Sequence, residues 1–105
     1  MTYNHLDTDT TIIAPATAIG GAVVVIRISG KESIAIADSM FRGRHKLSDA
    51  KGYTLHYGDI VYDNGKVLDD VIVALFRAPH SYTGEDSVEI TIHGSEYITS
   101  EVIRL

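Results

Sequence analysis

The chain has 105 residues, 45 % of them hydrophobic and 22 % charged, the composition of one ordinary globular domain with a modest core. Fourteen acidic residues against nine basic ones leave a net charge of −5, the wrong sign for a domain that grips nucleic acid, so the chain by itself is expected to bind nucleic acid poorly. The lack of cysteine excludes a disulfide framework and a thiolate metal site. The apolar run Ala22 to Ile26 is far too short to span a membrane, and the first residues lack the basic and apolar regions of a signal peptide, so the expected location is cytoplasmic.

Met1 to Thr8 reads as a polar, frayed start. Thr11 to Ala14 is a short β-prone run ended by Pro15, and Val23 to Ile28 is a continuous β-branched run that predicts a strand buried on both faces. Gly20-Gly21 supplies a tight connection between them. Ser29-Gly30-Lys31-Glu32 reads as a capping box, with Ser29 as N-cap and Glu32 reaching back. Ile34, Ala37 and Phe41 then mark one helical face, and Gly43 a helix stop.

Arg42 to Gly52 reads as a polar loop, whose Arg42, Arg44 and Lys46 form the densest basic cluster of the chain and are expected to be plainly solvated. Tyr53 to Tyr62 is strand-like, with Gly58 a candidate bulge. Asn64-Gly65 predicts a two-residue hairpin turn with positive φ at both positions, and Val67 to Phe76 the return strand. Ser87 to Ile92 alternates, with Val88, Ile90 and Ile92 on the core face and Glu89 on the other. Ser95 is placed to cap a final helix with Ile98, Val102 and Leu105 as its stripe. The order β-β-α-β-β-β-α predicts a single α+β domain over residues 1–105, with a mixed sheet and helices packed on one side. An apolar stripe that reaches Leu105 without a C-cap is expected to belong to a longer helix.

Familiar catalytic and cofactor patterns find little here. No Gly-x-x-x-x-Gly-Lys-Ser/Thr phosphate loop is present, and Gly20-Gly21 precedes a strand, not a helix. His80, Glu85, Asp86, Glu89 and His93 crowd into fourteen residues, but they mix loop and strand positions and match no standard metal-ligand spacing; His93 before Gly94 fits a turn at a strand end. Ser81, Thr83 and His80 are loop neighbours, and catalytic triads are assembled in space. The best pair is Arg27 and Glu89. A guanidinium at the end of an apolar strand needs a partner, and a carboxylate on the non-core face of a neighbouring strand is one, so the two either pair with each other or are each solvated.

The loop Phe76-Arg77-Ala78-Pro79-His80-Ser81-Tyr82-Thr83-Gly84-Glu85-Asp86, the strand after it and the closing His93-Gly94 resemble the N-terminal domain of the tRNA-modification GTPases called MnmE or TrmE. Asp9-Thr10, Ala16 to Ala22 and Ile26-Arg27-Ile28-Ser29-Gly30 resemble the same family, in the same order, so that the likeness covers nearly the whole chain from Asp9. The resemblance implies a homodimer with folate sites at or near its interface, in which Arg27 and Glu89 contact 5-formyl-tetrahydrofolate, a third contact coming from a helical domain beyond this chain. It further implies a flavoprotein partner of the MnmG type, tRNA modified at the wobble uridine, and a GTPase domain using GTP, magnesium and potassium that this chain lacks. Catalysis is not expected of the chain itself. One departure is visible: where many members carry a longer Thr-Pro-Pro-Gly-Arg-Gly-Gly loop, this chain has Thr17-Ala18-Ile19-Gly20-Gly21, without the arginine. The alternatives are a ligand-free oligomerisation module and a small stand-alone enzyme using the His80 to His93 region.

With no phosphate loop in its sequence, the purified chain is expected not to bind or hydrolyse GTP. Equilibrium binding of a fluorescent GTP analogue checks this, and retention at micromolar affinity would contradict it.

Overall fold

In a computed structural model of the chain, which describes residues 11–15, 22–78 and 85–104, the β-branched runs assemble into one six-stranded sheet. The strands are β1 (Ile12–Pro15), β2 (Val23–Ser29), β3 (Phe41–Gly43), β4 (Thr54–Val61), β5 (Val67–Phe76) and β6 (Ser87–His93). Their spatial order is β1-β2-β6-β5-β4-β3. Helix α1 (Ser33–Met40) joins β2 to β3, a short 3₁₀ turn (Leu47–Asp49) precedes β4, and helix α2 (Glu96–Arg104) follows β6. The fold is α+β as expected, but every pairing is antiparallel and the sheet is not mixed. The reason lies in the connections. Helix α1 carries the chain from β2 to the far edge of the sheet instead of returning it to a parallel neighbour, and β6 fills the gap between β2 and β5.

Period-two alternation places one face of the sheet in the core. Val24, Ile26 and Ile28 of β2, Val71, Val73 and Leu75 of β5, and Val88, Ile90 and Ile92 of β6 are all buried. Ile34, Ala37 and Met40 of α1 and Val102 of α2 join the same cluster, so both helices cover this one face. Strand β2 is therefore buried on one face, not two: Val23 is exposed and Val25, Arg27 and Ser29 are half-buried. Its unbroken apolar sequence reflects a second face that is apolar but carries no helix among the described residues.

Local signals were partly overruled. Helix α1 begins at Ser33 with Glu32 as N-cap and no side-chain cap, while Ser29 remains in the ladder opposite Ser87 and Ile12. The sheet outcompetes the capping box for Ser29. Gly30 then turns the chain with φ +134°, its N–H donating to the Asp86 carbonyl, and Thr11 Oγ1 accepts the Glu32 N–H from outside the helix. The helix stops at Met40, before Phe41, because Phe41 to Gly43 pair with β4 as an edge strand. The loop after it is not simply polar: Leu47 is fully buried and anchors the 3₁₀ turn.

Gly58 is no bulge; it lies in register between Val71 and Gly43, and the irregularity falls between Ile60 and Val61. Both Gly43 and Gly58 are covered by the Phe41 ring, which a Cβ at either position would meet at 2.6–2.7 Å. The β4–β5 turn is longer than predicted. Tyr62 and Lys66 bracket Asp63-Asn64-Gly65, positive φ is confined to Gly65, and Asn64 Oδ1 accepts the Lys66 N–H. The expected Ser95 cap is present, its hydroxyl accepting the Ile98 N–H. Val102 faces the core with Ile98 half-buried beside it, while Leu105 and the Gly20-Gly21 connection lie outside the described residues.

Three outcomes follow from this packing. Ile90→Ala, at the centre of the covered face, is expected to cost about 2–5 kcal/mol by urea unfolding. Gly58→Ala is expected to cost about 1–3 kcal/mol by the same measurement, since its Cβ would also sit 2.6 Å from the Arg42 carbonyl oxygen. Tyr62 O–H donates to Glu101 and so ties α2 to the hairpin, while a hydrogen bond from Arg104 holds the Glu101 carboxyl below its ordinary pKa. The contribution of the Glu101 carboxylate is complete above the ordinary carboxylate range and is lost as pH falls through the lowered value, so the protection factors of the α2 amides, taken relative to the intrinsic exchange rate at each pH, should fall with acid.

Candidate functional site

The face of the sheet opposite the helices carries a paired polar group in its interior. Arg27 and Glu89 are direct partners across the β2–β6 ladder. Arg27 Nε and Nη2 donate to the same carboxylate oxygen, Glu89 Oε2, at 2.9 and 2.7 Å. The side chains are 35 % and 27 % exposed, so the ion pair is neither in the core nor fully in water. Of the two readings open from sequence, the mutual pair is the observed one. Such a half-screened pair adds little net stability, on the order of 1 kcal/mol or less. What it does is orient the guanidinium toward Glu89 Oε2, while Glu89 Oε1 takes no bond from the described residues.

The surroundings are set by register. Ala14 lies opposite Arg27 and Ala74 opposite Glu89, so one row across four strands reads Ala14, Arg27, Glu89, Ala74, with Leu55 of β4 next. Ala14 and Ala74 thus put small side chains at both ends of the ion pair, with the larger Leu55 beyond Ala74. The adjacent row runs Val25, Thr91, Ile72, Tyr57. On this face Val23, Leu55, Tyr57 and Ile72 are all exposed, Leu55 to 74 %. A charged pair set in an apolar, one-sided sheet surface can receive a flat ring bearing adjacent N–H donors, or the same surface of a second molecule.

A second polar group lies farther along β5 and β6. Asp69, although buried, accepts the His93 backbone N–H at 2.9 Å, and its other oxygen lies 2.7 Å from His93 Nδ1. Asp70 accepts from the Tyr57 hydroxyl at 3.2 Å, and this bond pushes the Tyr57 phenol above its ordinary pKa. Asp69, Asp70 and His93 each place a ligand atom within 4.8 Å of the others, a spacing a divalent cation accepts. As observed Asp69 and His93 form a hydrogen-bonded clasp at the strand ends, while Asp70 is bonded to Tyr57. His93 thus serves the strand end, as its sequence position indicated, and its partner Asp69 comes from β5. Asp69 is the functionally suggestive residue that sequence reading missed; the Asp69-Asp70 step next to an apolar strand was its only signal.

The conspicuous loop between β5 and β6 is described at its two ends. Arg77 donates from Nε and Nη2 to the Ala50 carbonyl and from Nη2 to the Ser48 carbonyl, and Asp86 Oδ1 accepts the Ala78 N–H. These bonds fix where the loop leaves and rejoins the sheet. His80, Ser81 and Thr83 fall outside the described residues.

Comparison with known proteins shows the family. Residues 11–105 match the family model described as the GTP-binding protein TrmE N-terminus. The chain belongs to this family. It is 54 % identical over 98 residues to the tRNA modification GTPase MnmE of Bacteroides thetaiotaomicron, covering 90 % of this chain and 21 % of that protein. It is 52 % identical over 97 residues to that of Flavobacterium johnsoniae, with the same coverage, and 42 % identical over 106 residues to that of Streptococcus mutans, covering the whole of this chain and 22 % of that protein. The chain thus spans about a fifth of the length of these relatives. Among the described residues no helix is long and apolar enough to cross a membrane.

Asp69→Ala removes a buried acceptor of the His93 N–H and should lower stability by about 1–3 kcal/mol in chemical denaturation. Asp70→Asn should bring the Tyr57 phenol back toward its ordinary pKa, read as an earlier phenolate absorbance rise in a spectrophotometric pH titration.

Proposed function

We propose that this is the dimerisation and 5-formyl-tetrahydrofolate-binding domain of a tRNA-modification GTPase, a protein that acts with an MnmG-type flavoprotein on the wobble uridine of tRNA. The observation that carries the reading is the Arg27–Glu89 pair, held in register on the uncovered face with alanines on either side. Family membership and the names of the relatives support the tRNA and GTPase context. GTP, magnesium and potassium belong in this reading to a GTPase domain outside the chain.

The chemistry fits a reduced pterin. Its amino group and ring N–H lie side by side and can be received by Glu89, whose Oε1 takes no bond from the described residues. Arg27, oriented by Oε2, sets a guanidinium charge beside the carboxylate, toward which a formyl, ring or glutamate-tail oxygen can turn. Ala14 and Ala74 leave room for the ring to lie against the sheet. In this role the domain binds and orients the one-carbon donor.

The exposed apolar residues around the pair support self-association through the same face, since a two-fold contact uses one patch on both copies. Sedimentation at micromolar concentration is expected to show a dimer, and a strict monomer would count against this half of the proposal. Glu89→Ala is expected to weaken formyl-tetrahydrofolate binding by roughly ten- to hundredfold in a calorimetric titration, because about 1.5–3 kcal/mol is lost per charge-assisted bond. The melting temperature should change little, since Glu89 lies off the core face. Unchanged binding with a lowered melting temperature would make Glu89 structural. A dimer that takes up no folate at all would favour the ligand-free oligomerisation module.

A further inference from the structure

We propose that the segment between α1 and β4 is a docking surface for the phosphate backbone of an RNA strand. Residues 42–51 hold Arg42, Arg44, Lys46 and Lys51, four of the nine Lys and Arg residues, together with His45 and a single acid, Asp49. Arg42, Arg44, His45, Lys46 and Lys51 are all exposed. The net charge of −5 therefore hides a positive end, and at physiological ionic strength a strand within about 8 Å senses that end more than the distant acids.

The structure adds what the sequence could not. These cations line a concavity of about 580 Å³, with Arg42, Arg44, His45 and Lys46 among its lining residues, and an adjoining one of about 280 Å³ that shares His45 and Lys46 and adds Lys51 and His56. Asp38, the carboxylate in the larger concavity, is already engaged: Oδ1 accepts the Leu47 N–H and Oδ2 the Ser48 hydroxyl, both at 2.9 Å. Among the described residues no ion pair involves Arg42, Arg44, Lys46 or Lys51. Asp59, opposite Arg42 in the edge ladder, moderates that one cation. The segment is also held in place. Leu47 is buried, and Arg77 binds the Ser48 and Ala50 carbonyls from the far side.

Two open, joined concavities rimmed by long cationic side chains suit several phosphates in succession more than one enclosed phosphate. RNA as the source rests on the family reading given under Proposed function. The surface lies by β3, at the opposite edge of the sheet from β1 and β2, so RNA here would leave the Arg27–Glu89 row accessible.

The test is fluorescence anisotropy of a labelled single-stranded RNA oligonucleotide against the chain between about 50 and 200 mM salt. Neutralising three or four phosphates should give a log–log salt slope of about −2 to −3. Arg42→Ala/Arg44→Ala/Lys46→Ala should weaken binding at least about tenfold and flatten the slope. Lys31→Ala/Lys66→Ala/Arg104→Ala, which removes the same charge elsewhere, should change it far less. Circular dichroism of both variants establishes that they fold. Equal losses in the two variants, no RNA binding at the lowest salt, or full displacement by inorganic phosphate at matched ionic strength would each overturn the proposal. Titration of the same variants with formyl-tetrahydrofolate separates the two readings: folate binding that survives in a variant deaf to RNA supports this surface. Absent folate binding beside intact RNA binding refutes the folate assignment alone.

Discussion

Covering one face of the sheet and leaving the other open is the constraint on which the rest of this structure depends. Both helices pack on the side of Val24, Ile26, Ile28, Val73, Leu75, Val88 and Ile90, and all of these are removed from water. The opposite side then has to be either polar or partnered. It is neither fully: Val23, Leu55, Tyr57 and Ile72 remain exposed around one central ion pair. An antiparallel sheet tolerates such a face. Its apolar character nonetheless marks it as a place where another molecule gains by covering it.

The path of the chain makes the arrangement possible. Helix α1 crosses the core face from β2 to the far edge, so the two ends of the open face are built by segments far apart in sequence. At the edge, β3 needs only three residues because Phe41 folds its ring over Gly43 and Gly58, closing a spot where two glycines would otherwise leave a gap. At the other end, the Gly30 turn, pinned by Asp86 and crowded by Thr11, lets β2 run straight into α1. Arg27 and Glu89 face each other in the interior of the sheet and orient one another, so a ligand there would meet groups already oriented.

Electrostatics divides the molecule in the same way. The acidic excess of the chain includes Asp59, Asp69 and Asp70 on β4 and β5, whereas the basic excess is gathered in residues 42–51. Net charge alone described neither region. Asp69 is reconciled with burial by His93, which supplies a backbone N–H and a ring nitrogen from the neighbouring strand. The cations near β3 have no comparable protein partner among the described residues, which distinguishes a recognition surface from a structural clasp.

Much was determined by the sequence itself, because it depends on periodicity between near neighbours. The strands Thr54–Val61, Val67–Phe76 and Ser87–His93, the orientation of Glu89 away from the core, the Ser95 cap and the identity of the family all follow from local patterns and motifs. Tertiary structure alone decided what depends on partners distant in the chain. Ser29 left its capping role because Ser87 and Ile12 claimed it for the ladder, and Phe41 left the helical face because Ile60 offered it an edge. The sheet became wholly antiparallel because α1 spans its width. Arg27 met Glu89, and Asp69 met His93, because strand order put β6 between β2 and β5. The physical reason is common to all of these: register across strands is set by long-range burial, and no run of neighbouring residues encodes which strand will lie beside it.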